Sequence, residues 1–133
     1  MNSKMEQNNG VKFEQLVEAA KNNDWGFVDE NINESHLSYE YTVWAIKDGL
    51  LDKDRNVRDL AATILDKSNE QLDPEDAKEV ERIMLRETYH IVIYRLAIAL
   101  YKRGIRNTAI ERLMSEAKDD PDVGDLAKSF LAQ

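Results

Sequence analysis

From Ile91 to Tyr101 the chain reads IVIYRLAIALY, in which ten of eleven residues are apolar or aromatic and Arg95 is the one charge. A helix that is apolar on every face has no side for water and belongs inside a protein. The run falls short of the roughly 20 residues that a bilayer span requires, so it predicts a central helix with neighbours packed on two or more sides. Upstream, Met1–Gly10 is polar and aperiodic and reads as a disordered segment. Val11, Phe13, Leu16, Val17, Ala19 and Ala20 fall at helical spacing and predict a helix to about Asn22. Asp24 then offers an N-cap for a short helix through Trp25, Phe27, Val28 and Ile32. Together these make a capping hairpin over 11–34.

Ser38 as N-cap predicts the start of a third helix that reaches about Leu51 and buries Tyr41, Val43, Trp44, Ile46, Leu50 and Leu51. Asp54 caps the next, Arg55 to about Lys67, where Val57, Leu60, Ala61, Ile64 and Leu65 form an amphipathic stripe. Asp73-Pro74-Glu75-Asp76 combines an N-cap, a first-turn proline and acids at the positive helix end, and that helix closes near Glu87. Gly104 ends the central helix after Lys102-Arg103. Asn107 caps a helix with Ile110, Leu113, Met114 and Ala117 inward. Asp120-Pro121 repeats the cap-then-proline signal ahead of Val123, Leu126, Ala127, Phe130 and Leu131. No segment alternates long enough to be a strand, so the class is all-α with about eight helices.

Three of these helices share a pattern: VRDLAATIL at Val57–Leu65, IYRLAIALY at Ile93–Tyr101 and VGDLAKSFL at Val123–Leu131. Their Leu-Ala pairs begin at Leu60, Leu96 and Leu126, spaced 36 and then 30 residues apart, a period that indicates stacked helix pairs. Leu50–Leu65, LLDKDRNVRDLAATIL, resembles the turn between the two helices of a HEAT-like repeat, with Asp54, Val57, Arg58, Ala61 and Leu65 at the corresponding positions. The third unit keeps Asp120, Val123, Ala127 and Leu131 but has Gly124 where the family favours Arg. The middle unit lacks the turn Asp. The resemblance implies a right-handed stack of antiparallel helix pairs, a HEAT-like superhelix, with units 38–68, 73–104 and 106–133 inside one domain over 11–133. It also implies that the Asp caps the second helix, that the Arg ties turns together, and that the protein is a scaffold or adaptor.

A chain of 133 residues is long enough for one self-supporting core. It contains no cysteine, which removes disulfides, thiolate metal sites and thiol nucleophiles. With no apolar leader or span visible, the expected location is cytoplasmic, without membrane contact. The net charge is −8, which opposes non-specific binding to nucleic acid. Between Arg82 and Arg112, however, seven cations face two anions, a local +5 that leaves −13 for the remainder.

Nothing in the sequence spells out catalysis. Iron-holding HEAT-like enzymes pair His with Glu, whereas Leu37 follows His36 here and Ile91 follows His90, so no metal or cofactor is expected. The acidic clusters Asp73/Glu75/Asp76 and Asp119/Asp120/Asp122 sit at helix starts, where acids serve as caps. The basic run is either a solvated face, a Tyr-lined surface for an acidic segment of a partner protein, or a nucleic-acid contact. The expected function is the second: a non-enzymatic interaction module using Arg82, Arg86, Tyr94, Arg95, Lys102, Arg103 and Arg106. Arg95, on the apolar helix, calls for a structural partner such as Asp59, Glu87 or Asp125. Trp25 and Trp44 are expected in the core. A homodimer through apolar end faces is a further option.

Overall fold

Four of the six side chains offered as caps are used as such, whereas Ser38 makes no side-chain capping bond to its helix and Asp120 closes a turn. In the computed structural model, which describes residues 13–32 and 37–133, Asp24 accepts from the Phe27 amide at 3.3 Å and Asp54 from Asn56 at 2.8 Å. Asp73 accepts from Asp76 at 2.8 Å and Asn107 from Ile110 at 2.9 Å. Each bond satisfies an amide that the first helical turn leaves without an internal partner. The described residues form eight α-helices: α1 Phe13–Lys21, α2 Trp25–Asn31, α3 Tyr39–Lys47, α4 Arg55–Lys67, α5 Pro74–Arg86, α6 His90–Lys102, α7 Thr108–Ala117 and α8 Gly124–Leu131. Among the described residues there is no strand, and no helix is long and apolar enough to cross a membrane. The expected disordered segment 1–10, Val11 and His36 lie outside the described residues.

The chain divides into two compact units, Met1–Glu70 and Gln71–Gln133. The division falls in the connection between the expected repeat units 38–68 and 73–104. In the first unit α1 packs on α2 and α4, and α3 packs on α4. Phe13 brings α1 onto α3, with its ring 4.8 Å from Tyr41 and stacked 5.3 Å from Trp44. In the second unit α6 packs on α5, α7 and α8, as the apolar run requires, and α7 also packs on α8. The repeated Leu-Ala pairs land in the cores: Leu60, Ala61, Leu96, Ala97 and Ala127 are buried, while Leu126 is half-buried. Trp25 and Trp44 are half-buried rather than enclosed.

Two boundaries differ from expectation, each for a local reason. The third helix stops at Lys47, and Gly49–Leu51 forms a separate 3₁₀ turn. Gly49 presses against neighbours so closely that a Cβ there would lie 2.6 Å from the Ala61 Cβ and 2.8 Å from the Trp44 ring. Leu51 thereby turns outward and is exposed, as is Val43. The last helix begins at Gly124, not at Pro121, because the Asp120 carboxylate closes a turn instead of capping a helix. Its Oδ1 accepts from the Asp122 amide at 2.7 Å and the Val123 amide at 3.1 Å. Gly124 fits here because a Cβ would stand 2.7 Å from the Lys118 carbonyl oxygen, so the Arg that a HEAT-like repeat places here has no room.

A further difference concerns α4. Its amphipathic sequence predicts one wet face, yet Asp59, Thr63 and Asp66 are buried along with the apolar stripe. Thr63 Oγ1 approaches Asp59 Oδ1 at 3.5 Å, and Thr42 on α3 approaches Ser68 at the same distance. Arg58 closes the turn before its own helix by donating from Nη1 to the carbonyls of Asp52 and Lys53, each at 3.0 Å.

Two glycines test these readings. Gly49→Ala forces a methyl into occupied space and should lower stability by about 1–3 kcal/mol. Gly104 has φ +87° with nothing within 4 Å of an added Cβ, so Gly104→Ala should cost about 1 kcal/mol from backbone strain alone. Gly104→Asn should cost less, because Asn tolerates that conformation. Urea denaturation of the three variants measures all three effects.

Candidate interaction surface

The seven residues expected to bind a partner fall into groups with different surroundings. Arg82 and Arg86 lie on the outer face of α5, whose other side buries Val80, Ile83 and Met84. Lys78, Arg82, Leu85 and Arg86 are all exposed and share that outer face, since positions three and four apart are neighbours on a helix. Arg82 Nη1 pairs with Glu79 Oε1 at 2.5 Å, one turn back. Such exposed pairs contribute little to stability, typically under about 1 kcal/mol. Leu85 is 59% exposed, and nothing in its helical spacing marks it out from the buried Ile83 and Met84 beside it.

Lys102, Arg103 and Arg106 gather around the C-terminal end of α6 and are occupied there. The helix closes with the Ile105 amide on the Leu100 carbonyl at 3.1 Å and the Gly104 amide on the Tyr101 carbonyl at 3.0 Å, a glycine-dependent cap. Arg103 adds an N–H to the Ala99 carbonyl at 2.8 Å, and Arg106 adds one to the Tyr101 carbonyl at 2.6 Å. The Arg106 guanidinium also lies 3.4 Å above the centre of the Tyr101 ring, and the Lys102 ammonium 5.6 Å from that of Phe130. These cations neutralise the negative end of α6 and satisfy its last carbonyls. The Asn107 side chain, next to Arg106, donates to Glu81 Oε2 at 2.7 Å, which sets the turn after α6 against α5 one residue from Arg82.

Tyr94 and Arg95 occupy the first half of α6, both half-buried. The Tyr94 hydroxyl hydrogen-bonds to Glu116 on α7, and Glu116 also takes an N–H from Arg112 at 3.1 Å. Burial pushes the Tyr94 phenol above its ordinary 10.0, and the Glu116 and Asp120 carboxylates push the same way. One turn earlier His90 stands with Nε2 3.6 Å from Asp120 Oδ2, an ion pair only when the imidazole is protonated. The Asp120 side chain is 6% exposed and the His90 side chain 62%. This His–Tyr–Glu–Asp group was not foreseen from the sequence. Its one signal was the i, i+4 placement of His90 and Tyr94, because the acids come from α7 and the turn after it. The group links α6 to α7 and to the following turn. Among the described residues no three His, Cys, Asp or Glu side chains converge to hold a metal ion.

Comparison of the chain with protein-family models, with curated protein sequences and with solved structures finds no match in any of the three.

The Tyr94 assignment has a pH signature. A phenol held neutral by the fold adds stability that is present below its ordinary value of 10.0 and is lost as pH rises through the folded value. Tyr94→Phe removes the hydrogen bond to Glu116 and should cost about 1 kcal/mol near neutral pH. The same variant should lose less stability than wild type between neutral and alkaline pH. Urea midpoints at the two pH values check this, and an identical alkaline loss in the variant would contradict it.

Proposed function

We propose that the protein is a non-enzymatic interaction module and that the α5 face bearing Arg82, Leu85 and Arg86 receives an acidic segment of a partner protein. One observation carries the reading: Leu85 stands 59% exposed beside Arg82, which lies three and four positions from Leu85 and the exposed Arg86 on the outer side of α5. An apolar side chain beside guanidinium groups suits a segment that combines an apolar anchor with carboxylates, to which arginine pairs in a two-pronged fashion. Arginine is also among the residues that dominate binding energy at interfaces. The overall charge of −8 favours this occupant over nucleic acid, since the rest of the surface repels phosphate.

The remaining expected residues contribute less in this reading. Arg103 and Arg106 already serve the end of α6, and Tyr94 already serves Glu116. Right-handed, HEAT-like stacking of helix pairs belongs to the same proposal. It is supported by the Asp54 cap, the task that the resemblance implies for that position; the bonds of Arg58 to Asp52 and Lys53 fall within its own turn.

The test is retention of partners from native lysate by the tagged protein beside the variant Arg82→Glu/Arg86→Glu. The expected outcome is a protein that wild type retains and the variant loses, with retention falling as salt rises. Leu85→Ser should weaken the same retention without altering its salt dependence. Both side-chain changes are exposed, so stability should move by no more than about 0.5 kcal/mol. Equal retention by wild type and the double variant would remove the α5 face from consideration.

A further inference from the structure

The first unit carries a feature of opposite character. Between α1 and α2 lies an open pocket of about 300 Å³ lined by Gln15, Glu18, Ala19, Asn22, Asp24 and Phe27. Ala19 and the Phe27 ring give it an apolar side, and Glu18 and Asp24 contribute carboxylates. Glu18 Oε2 accepts from the Asn22 amide group at 3.3 Å, and Asp24 Oδ1 accepts from the Phe27 backbone at 3.3 Å. These bonds hold both carboxylates in place while each has a second oxygen. The surroundings reinforce the sign: across 13–32 the anions Glu14, Glu18, Asp24, Asp29 and Glu30 are all exposed, against Lys21 as the one cation. A planar guanidinium meets its requirements here, stacking on an aromatic ring while pairing with carboxylates.

The geometry points to a second copy of this chain as the partner that α5 engages: Arg82 and Arg86 of one copy dock on the α1–α2 pocket of the next. The inference rests on the reading of α5 given above and names its occupant. Charge complementarity carries it, because one chain presents both halves of the contact: an exposed arginine pair beside Leu85, and an acidic pocket with an apolar side. Leu85 then meets the apolar side of the pocket while the arginines reach its carboxylates. Because the two surfaces differ, the contact is head-to-tail, and each added copy exposes a new pocket and a new α5 face. Association proceeds beyond a dimer unless the rotation closes a ring, of which a reciprocal pair of two copies is the smallest.

Sedimentation equilibrium of the full chain over a concentration series, at low and at high salt, tests this. The weight-average mass should rise with concentration above that of the monomer at low salt and fall toward the monomer at high salt. The variants Arg82→Glu/Arg86→Glu and Gln15→Lys/Glu18→Lys should each weaken association by about tenfold or more. An equimolar mixture of the two should regain it as pairs, because the first keeps its pocket and the second its α5 face. Circular dichroism and melting temperature should match wild type in both, since all four side chains are exposed and the Asp24 cap is untouched. A wild type that stays monomeric, a variant that associates as wild type does, or a mixture that fails to associate would each overturn the inference. The interaction reading has its own outcome. If wild type is monomeric yet the α5 variant loses a retained lysate partner, self-association falls and the module reading stands. If that partner is kept, the module reading falls as well.

Discussion

Burial of α4 on nearly every side is the constraint from which the first unit follows. Leu60, Ala61, Ala62, Ile64 and Leu65 are wholly buried, and Asp59, Thr63 and Asp66 are buried with them. A helix in that position has no tolerance for a poor fit, since protein interiors are packed as densely as organic crystals. The 3₁₀ turn at Gly49–Leu51 and the packing of α1 and α3 on α4 both answer to it. Gly49 is the residue where this is plainest, because its backbone lies where any side chain would strike Ala61. In the second unit α6 has the same role by a simpler route, being apolar in sequence on almost all faces and packed against three helices.

The two central helices show why one half of the core was readable and the other half was not. IVIYRLAIALY declares its burial because water has nothing to hold on to. In α4 the polar residues Asp59, Thr63 and Asp66 recur at i, i+4 and i+7, the spacing of a wet face, and only tertiary packing encloses them. Buried polar groups need partners, so enclosing this face commits neighbouring structure in a way that no local pattern records. The caps were legible for the opposite reason. Asp54, Asp73 and Asn107 act within three residues of themselves, and their meaning does not depend on what packs above them. Asp120 looked equivalent, but its Oδ1 accepts from Asp122 and Val123 in a turn while its Oδ2 faces His90 on α6.

The basic stretch shows the same division between what charge announces and what geometry decides. Counting charges identified a local excess of cations from Arg82 to Arg112. It did not separate Arg103 and Arg106, which complete the carbonyl ladder of α6, from Arg82 and Arg86, which face outward beside an exposed leucine. Side-chain hydrogen bonds to main-chain carbonyls leave no mark in composition, and an exposed Leu85 looks like any other helical leucine. The surface proposed on α5 is therefore smaller than the sequence suggested, and it includes the exposed Leu85.

The position of α4 at the end of the first unit has a consequence for synthesis. The ribosome releases α1, α2 and α3 before the helix on which α1 and α3 pack has been made. The pairing of α1 with α4 also spans the greatest sequence separation in that unit, so it carries a loop-closure cost that neighbouring helix pairs do not. Until Lys67 has cleared the exit tunnel, the faces of α1 and α3 that pack on α4 have no permanent cover, and exposed apolar faces of that kind invite aggregation. The second unit meets no such delay, because α6 emerges second of its four helices and the later ones condense on a helix already present.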